Sequence, residues 1–265
     1  MKKILLSVCL ILLVAVSGCK KDKGNPPELP PAGTMIIDFT NFDYQGKGME
    51  AFAAKGTNNS AWEFAAIAAG TFKIILGTTL AIPVYSFQLA IDQTPQYVSD
   101  KTWQWVYNAT IANESYQAKL VGQIGSSEVT WKMYITKQNS FTDFLWFEGT
   151  SALDGNSGQW TLYHSNATPV AVLQIDWIKS GDALSSVKYT YVKEQDSFKT
   201  SYIEYGFKSG PLNAYYTIHY YNGNKFSDVN VEWNTTTHNG RIRCTEYIDG
   251  QWYCWDANRA NTNCL

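Results

Sequence analysis

The chain has 265 residues, of which 45% are hydrophobic and 15% aromatic, and it carries a formal net charge of −2. This length supports one large domain with a buried core, and the near-neutral charge without a basic block argues against nucleic acid as a partner. The 10 tryptophans and 17 tyrosines favour β-structure, because aromatic side chains pack well on pleated sheets.

The first eighteen residues have the layout of a bacterial export signal. A positive start with Lys2 and Lys3 precedes the apolar residues 4–16 and two small residues. The apolar run is too short to span a bilayer comfortably as a helix. We therefore expect residues 1–18 to be a signal peptide that is removed after export.

The junction Val16-Ser17-Gly18-Cys19 resembles the lipobox of bacterial lipoproteins, in which an aliphatic residue and two small ones precede a cysteine. The resemblance implies cleavage before Cys19, a diacylglycerol on its sulfur and an acylated amine, with palmitate as the expected acyl group. Two or more acyl chains anchor a protein stably. Lysine rather than aspartate at position 20 implies, by the same resemblance, the outer membrane. The sequence leaves open whether the protein faces the periplasm or the exterior.

Residues 19–33 are predicted to be a lipidated tether, because their prolines and charges favour an extended chain over a core. The rest of the chain, residues 34–265, is predicted to be a single β-rich domain. Residues 35–42 at its start are predicted to form a short strand.

A helical segment is predicted near residues 59–91. It is apolar nearly all round, with Glu63 and Lys73 as its charged residues. Ser60 and Glu63 have the spacing of a capping box, and Pro83 predicts a break into two helices. A helix of this kind is either a membrane span or buried by protein, and Lys73 in its middle favours burial by protein.

The sequence from residue 102 onward alternates apolar and polar residues with the period of β-strands. Turn signals such as Asp154-Gly155 and Asn222-Gly223 separate the runs. The predicted fold is mainly β, a curved antiparallel meander or barrel of about ten to twelve strands wrapped around the apolar helix. The alternating positions are Trp103, Trp105, Tyr107; Val129, Trp131, Met133, Ile135; Leu173, Ile175, Trp177; Val187, Tyr189, Tyr191; and Val229, Val231, Trp233.

Two resemblances accompany this pattern. The predicted architecture is similar to the half-barrels of the Lol lipoprotein carrier and receptor proteins. The phrases FLWFEGTSALDGNSGQW and WYCWDANRANTNC resemble those of uncharacterised β-rich envelope lipoproteins of Gram-negative bacteria. Neither resemblance implies an activity.

Three cysteines, Cys244, Cys254 and Cys264, follow the lipobox and favour a disulfide in an oxidising compartment. A three-residue loop at positions 248–250 would place Cys244 opposite Cys254 at a non-hydrogen-bonded position of a hairpin. We therefore predict a Cys244–Cys254 bridge. A bond from Cys264 to either of these cysteines is the alternative.

The sequence carries no motif for catalysis, metal or cofactor binding. The three histidines, His164, His219 and His238, have no metal-ligand spacing. Five carboxylates in aromatic-rich strands are the enzyme-like candidates, although such residues are usually a solvated sheet face. They are Glu148, Asp176, Glu204, Glu232 and Glu246.

The leading interpretation is a non-catalytic binding or structural lipoprotein of the outer envelope that holds an apolar ligand and no cofactor. One alternative is a carbohydrate-binding surface lipoprotein whose tryptophans, such as Trp103 and Trp105, stack on sugars. The other alternative is a glycoside or ester hydrolase. The membrane is the expected partner through the anchor, and the sequence does not indicate protein partners or an oligomeric state.

Overall fold

The structure, a computed structural model, describes residues 23–42, 60–111, 113–181 and 183–264. The predicted signal peptide and Cys19 therefore lie outside the described residues. The described chain forms the helix α1 (Ala61–Ala90), two 3-10 helices (Ala32–Met35 and Thr40–Phe42) and fourteen strands. The strands are β1 (Gln96–Ser99), β2 (Thr102–Ile111), β3 (Glu114–Ile124), β4 (Glu128–Lys137), β5 (Phe141–Ala152), β6 (Ser157–Ser165), β7 (Thr168–Ser180), β8 (Ala183–Tyr191), β9 (Tyr202–Phe207), β10 (Ala214–Tyr221), β11 (Phe226–Trp233), β12 (Gly240–Cys244), β13 (Tyr253–Trp255) and β14 (Asn261–Thr262).

The strands form one curved antiparallel sheet in which each strand pairs with its neighbours in the sequence. Strands β1 and β14 are the two edges and are not paired with each other in the described part of the chain, so the sheet is unclosed. The mainly β prediction is confirmed, with more strands than expected. Strands β13 and β14 have three and two residues and are too short to show a period in the sequence.

The inner face of the sheet carries the predicted apolar positions. In β4, Val129, Trp131, Met133 and Ile135 are each at most 4% exposed, and the residues between them are half-buried on the outer face. The same holds for Trp103 and for Trp105 in β2, which are 9% and 2% exposed. The period-two pattern therefore identified the core face correctly, and these two tryptophans belong to the core.

Five glycines in the strands lie opposite an aromatic residue whose ring covers them. The pairs are Gly122 with Trp131, Gly149 with Trp160, Gly158 with Trp177, Gly206 with Tyr215, and Gly240 with Trp255. A Cβ atom added at Gly122 would stand 2.6 Å from the Trp131 ring, so a larger residue would not fit without a shift. Glycines covered in this way favour strong curvature in a sheet while keeping the core filled.

Helix α1 begins with the predicted capping box. The Ser60 hydroxyl accepts a hydrogen bond from the Glu63 amide at 3.2 Å, and the Glu63 carboxylate accepts one from the Ser60 amide at 2.9 Å. The helix bends by 73° between the arms Ala61–Gly77 and Leu80–Ala90. Pro83 explains this position, because a proline ring removes one helical hydrogen bond and clashes with the carbonyl four residues earlier.

Burial decreases along the first arm of α1 toward the bend. Residues such as Phe64 and Ile67 are at most 1% exposed in the first arm, whereas Ile74 near the bend is 60% exposed. The helix contacts β2 and β3 near one edge of the sheet and β12 and β13 near the other. Among the described residues no single helix has the length and apolarity to cross a membrane; the two arms of α1 satisfy such a test only together, across their bend.

Residues 23–42, named here the N-terminal strap, differ from the prediction. Pro27 and Pro30 are buried, so this part of the predicted tether packs on the domain, and residues 35–42 form no strand. As the chain proceeds, the strap contacts strands progressively farther along the sheet, from β1 to β11. The contacts are Lys23 with Tyr97, Pro27 with Gly122, Glu28 with Lys179, Gly33 with Leu184, Asp38 with Tyr216, and Phe42 with Trp233.

Candidate functional site

The disulfide of the structure joins Cys254 to Cys264, and the predicted Cys244–Cys254 bridge is wrong. Strands β12 and β13 pair with Arg241 opposite Cys254, and the loop between them spans residues 245–252. This longer loop places Cys254 on the outer face beside β14, whereas Cys244 lies on the inner face. The two side chains therefore lie on opposite sides of the sheet.

The free thiol of Cys244 is buried and held in place. Its Sγ atom donates a hydrogen bond to Oε2 of Glu246 at 3.1 Å. Burial, together with this hydrogen bond, raises the pKa of Cys244 to about 12. A thiol with so high a pKa carries little thiolate at neutral pH and is a poor nucleophile or metal ligand.

The five carboxylates considered from the sequence all accept hydrogen bonds in the structure. Their donors are neighbouring polar side chains. Four of the carboxylates lie in strands, on the polar side of the sheet, whereas Glu246 lies in the loop after β12 and not in a strand as expected. Asp176 accepts from Gln159 and Gln174, Glu148 from Tyr163, Glu204 from Tyr215, Glu232 from Arg241, and Glu246 from Ser227 and Thr245. Within the described residues no three His, Cys, Asp or Glu side chains are placed to hold a metal ion.

A cavity of about 330 Å³ lies between α1 and the inner face of β7, β8 and β10; it is named here the helix–sheet cavity. Ile74, 60% exposed, and His164 lie at its mouth. None of the described residues that line it is an Asp, Glu, Lys or Arg. They are Thr71, Phe72, Ile74, Ile75, Leu76, His164, Val172, Leu173, Tyr189, Tyr191, Phe198, Ser201 and Tyr220.

Tyr189 is the unusual member of this lining. Its side chain is fully buried, and its hydroxyl has no hydrogen-bond partner. Burial raises the pKa of Tyr189 well above its ordinary value, so the hydroxyl stays protonated and is a donor. An unpaired buried hydroxyl costs about 1–3 kcal/mol, which a bound molecule with an acceptor atom would recover.

Other polar groups in the lining already have partners. The Ser201 hydroxyl accepts from the Tyr221 amide at 3.1 Å, and the Thr71 hydroxyl donates to the Ile67 carbonyl at 3.1 Å. The Tyr191 hydroxyl donates to Asp196 at 3.1 Å, and burial and this bond raise the pKa of Tyr191 to about 12. The contrast with these paired groups makes Tyr189 the group of interest.

A second cavity of about 720 Å³ lies on the outer face, over β11 and β12; it is named here the outer cleft. Its lining is more polar and includes two cations and two carboxylates. The residues are Lys208, Ser209, Pro211, Leu212, Glu232, Asn239, Gly240, Arg241, Cys254, Trp255, Asp256, Ala257, Thr262 and Asn263. This cleft adjoins the Cys254–Cys264 disulfide.

No known protein family, curated protein or solved structure matches this chain. The site must therefore be argued from its own geometry. Sequence reasoning placed Tyr189 correctly among the inward positions of β8 but gave it no role. The sequence did carry a signal, since an inward position of β8 holds a tyrosine where a strand usually carries Val or Ile. A buried tyrosine hydroxyl normally needs a hydrogen-bond partner.

Proposed function

We propose that this chain is a lipid-anchored envelope protein that binds an uncharged, mainly apolar ligand in the helix–sheet cavity. The observation that carries the proposal is the apolar lining of that cavity, which includes Tyr189, a residue whose fully buried hydroxyl is unpaired. Small-molecule sites are mostly apolar cavities with a few placed polar groups, and this cavity has that composition.

The chemistry of the lining defines the ligand class. The cavity volume of about 330 Å³ is near the lower end of the range for small-molecule sites. An ionised ligand group would lose its hydration without gaining an opposite charge, which is costly. The preferred ligand therefore has an apolar body and a neutral acceptor, such as a carbonyl or ether oxygen, for Tyr189.

The resemblance of residues 16–19 to a lipobox supports the proposal that this ligand binding takes place close to a membrane. Cys19 precedes the first described residue, Lys23, by four positions, and four extended residues reach at most roughly 14 Å. A lipid on Cys19 would therefore hold the domain close to a membrane, where apolar molecules concentrate. Cys19→Ser should move the protein out of the membrane fraction; a variant that still resists carbonate washing of membranes would contradict the anchor.

Ligand binding can be tested with prodan, an uncharged fluorescent naphthyl ketone that supplies a carbonyl acceptor. Wild-type protein should bind it saturably, with a blue-shifted emission. Tyr189→Phe should weaken binding about threefold to tenfold, because one hydrogen bond is lost. The same variant without ligand should be more stable by about 1–2 kcal/mol, because a buried unpaired hydroxyl has been removed.

Two further variants make this test decisive. Tyr216 is equally buried, but its hydroxyl donates to the Asp38 carbonyl, so Tyr216→Phe should lower stability and leave prodan affinity unchanged. Ile75 is half-buried in the cavity wall, so Ile75→Trp should fill the space and block prodan. Unchanged affinity in both Tyr189→Phe and Ile75→Trp would place prodan elsewhere and overturn the proposed site.

A further inference from the structure

We propose that the outer cleft is a second binding site, and that its ligand is a neutral carbohydrate. This inference goes beyond the apolar-ligand function and does not depend on it, because the two cavities have no lining residue in common. It rests on three properties of the cleft. Its two walls are fixed in position, the charges of its ionised side chains cancel, and part of its surface is apolar.

The walls of the cleft come from two different connections. One wall is the loop between β9 and β10, with Lys208, Pro211 and Leu212, and the other is the turn between β13 and β14 with Asp256. The Cys254–Cys264 disulfide ties β13 to the chain that follows β14. The second wall is therefore held in place covalently as well as by strand pairing.

The floor of the cleft carries a hydrogen-bonded network centred on Glu232. Lys208 Nζ lies 2.5 Å from Oε1 of Glu232, while Nε and Nη2 of Arg241 lie 2.8 and 2.6 Å from Oε2. The Arg241 guanidinium also stacks on Trp252, 4.3 Å from the ring centroid. These contacts fix the two cations and leave N–H groups of Lys208 and Arg241 beyond those used by Glu232.

The charges of the cleft cancel. Two cations, Lys208 and Arg241, face two carboxylates, Glu232 and Asp256. Asp256 is used within its own turn, where Oδ1 accepts hydrogen bonds from the amides of Asn258 and Ala260. The remaining donors therefore favour a neutral ligand that is rich in acceptor oxygens.

Apolar side chains also line the two walls of the cleft. Pro211 is exposed and Leu212 half-exposed in one wall, with Ala257 in the other. A pyranose ring has the matching shape, with one face of C–H groups and a rim of hydroxyls. An apolar lipid would bury the charged groups of the floor without pairing them, which is costly, and an ion would meet charges that cancel.

The test uses the full domain and three tetrasaccharides, cellotetraose, maltotetraose and chitotetraose, titrated by calorimetry and followed by NMR amide shifts. At least one sugar should bind saturably and shift the amides of Leu212 and Asn263. Glu232→Gln should weaken that binding about tenfold, because the two cations lose the charged group that orients them. Leu212→Ser should weaken it about threefold to fivefold, through lost apolar contact.

Leu153→Ser is the matched control, because Leu153 is an exposed leucine in another loop and does not line the cleft. It should leave sugar affinity unchanged. Saturable binding by none of the three sugars would overturn the proposal, and so would binding that Glu232→Gln and Leu212→Ser leave intact. Prodan affinity is measured in the same samples, so failure of the outer cleft is distinguishable from failure of the helix–sheet cavity.

Discussion

The two faces of this sheet are built from the same strands, but their side chains are stabilised in different ways. On the inner face, large aromatic residues such as Trp131 and Trp160 are completely buried. On the outer face, charged residues such as Glu232 and Arg241 are held by one another. The helix–sheet cavity is lined by inner-face side chains and is apolar, whereas the outer cleft includes charged side chains of the outer face.

The comparison shows where polar groups are costly and where they are useful. Inside, the hydroxyl of Tyr189 is fully buried and unpaired, so it carries a cost that an exposed hydroxyl would not. On the outer face, an exposed polar group hydrogen-bonds to water, so the group alone does not indicate a binding site. A site on the outer face is recognised instead by groups whose positions are fixed by their neighbours.

The largest expected effect compares two isoleucines in β7. Ile175 faces inward and is fully buried, whereas Ile178 is 55% exposed. Ile175→Asp should unfold the domain, because a buried unpaired charge costs several kcal/mol. Ile178→Asp should cost about 1 kcal/mol or less, through β-propensity alone. Urea unfolding followed by circular dichroism measures both, and equal midpoints for the two variants would break the comparison.

The second prediction concerns the cysteines of the two faces. Reduction of the Cys254–Cys264 bond should lower stability by at most about 3 kcal/mol, from the entropy of a short loop. Cys244 should stay unreactive toward a thiol reagent until the protein unfolds, because it is buried and its pKa is about 12. Peptide mapping of unreduced protein checks the pairing. Recovery of Cys244 in a disulfide would contradict the assignment.

The third prediction compares covered glycines on the two faces. A Cβ atom at Gly158 would lie 2.5 Å from the Thr150 carbonyl and 2.6 Å from the ring of the buried Trp177. Gly158→Ala should therefore cost about 1–3 kcal/mol by overpacking. At Gly206 the obstacle is the Tyr215 ring, which can swing toward solvent, so Gly206→Ala should cost less. Thermal unfolding of both variants measures the difference, and a larger loss at Gly206 would refute this explanation.

The smallest expected effect concerns Glu246, in the loop after β12. Burial alone would raise the pKa of Glu246, but hydrogen bonds from Thr245, Cys244, Lys225 and Ser227 lower it to about 2. A folded-state pKa below the unfolded value gives stability that is present above about pH 4.5 and is lost as the pH falls toward 2. Glu246→Gln should flatten this part of the stability profile, measured by urea unfolding between pH 2 and 5. An unchanged slope would show that other groups cause it.

The sequence predicted what depends on local pattern. The alternation in β4 identified its inner face, the Ser60 and Glu63 spacing identified the start of α1, and Pro83 placed its bend. Each of these features follows from residues a few positions apart. Local steric and hydrogen-bonding rules are therefore sufficient to derive them.

The features that the sequence did not predict depend on distant contacts. The disulfide follows from the register of β12 with β13, and that register depends on how residues 245–252 fold. The strap packs on the domain through contacts such as that of Pro27 with Gly122, which no periodicity reveals. The helix–sheet cavity required α1, β7, β8 and β10 together, so Tyr189 had no visible role before the fold was known.

The strap also has a consequence for the order in which the chain folds. Neighbouring strands of a meander can pair soon after they are made, because their contacts are local. The hydrogen bond of Asn41, in the strap, with His238 joins residues 197 positions apart. The bond of Ala61, at the start of α1, with Asn261 joins residues 200 positions apart. Closing such long loops costs conformational entropy, and local contacts do not offset this cost. We therefore expect the strap and the start of α1 to remain loosely held until β12–β14 have formed. Formation of these last strands would then limit the rate of folding.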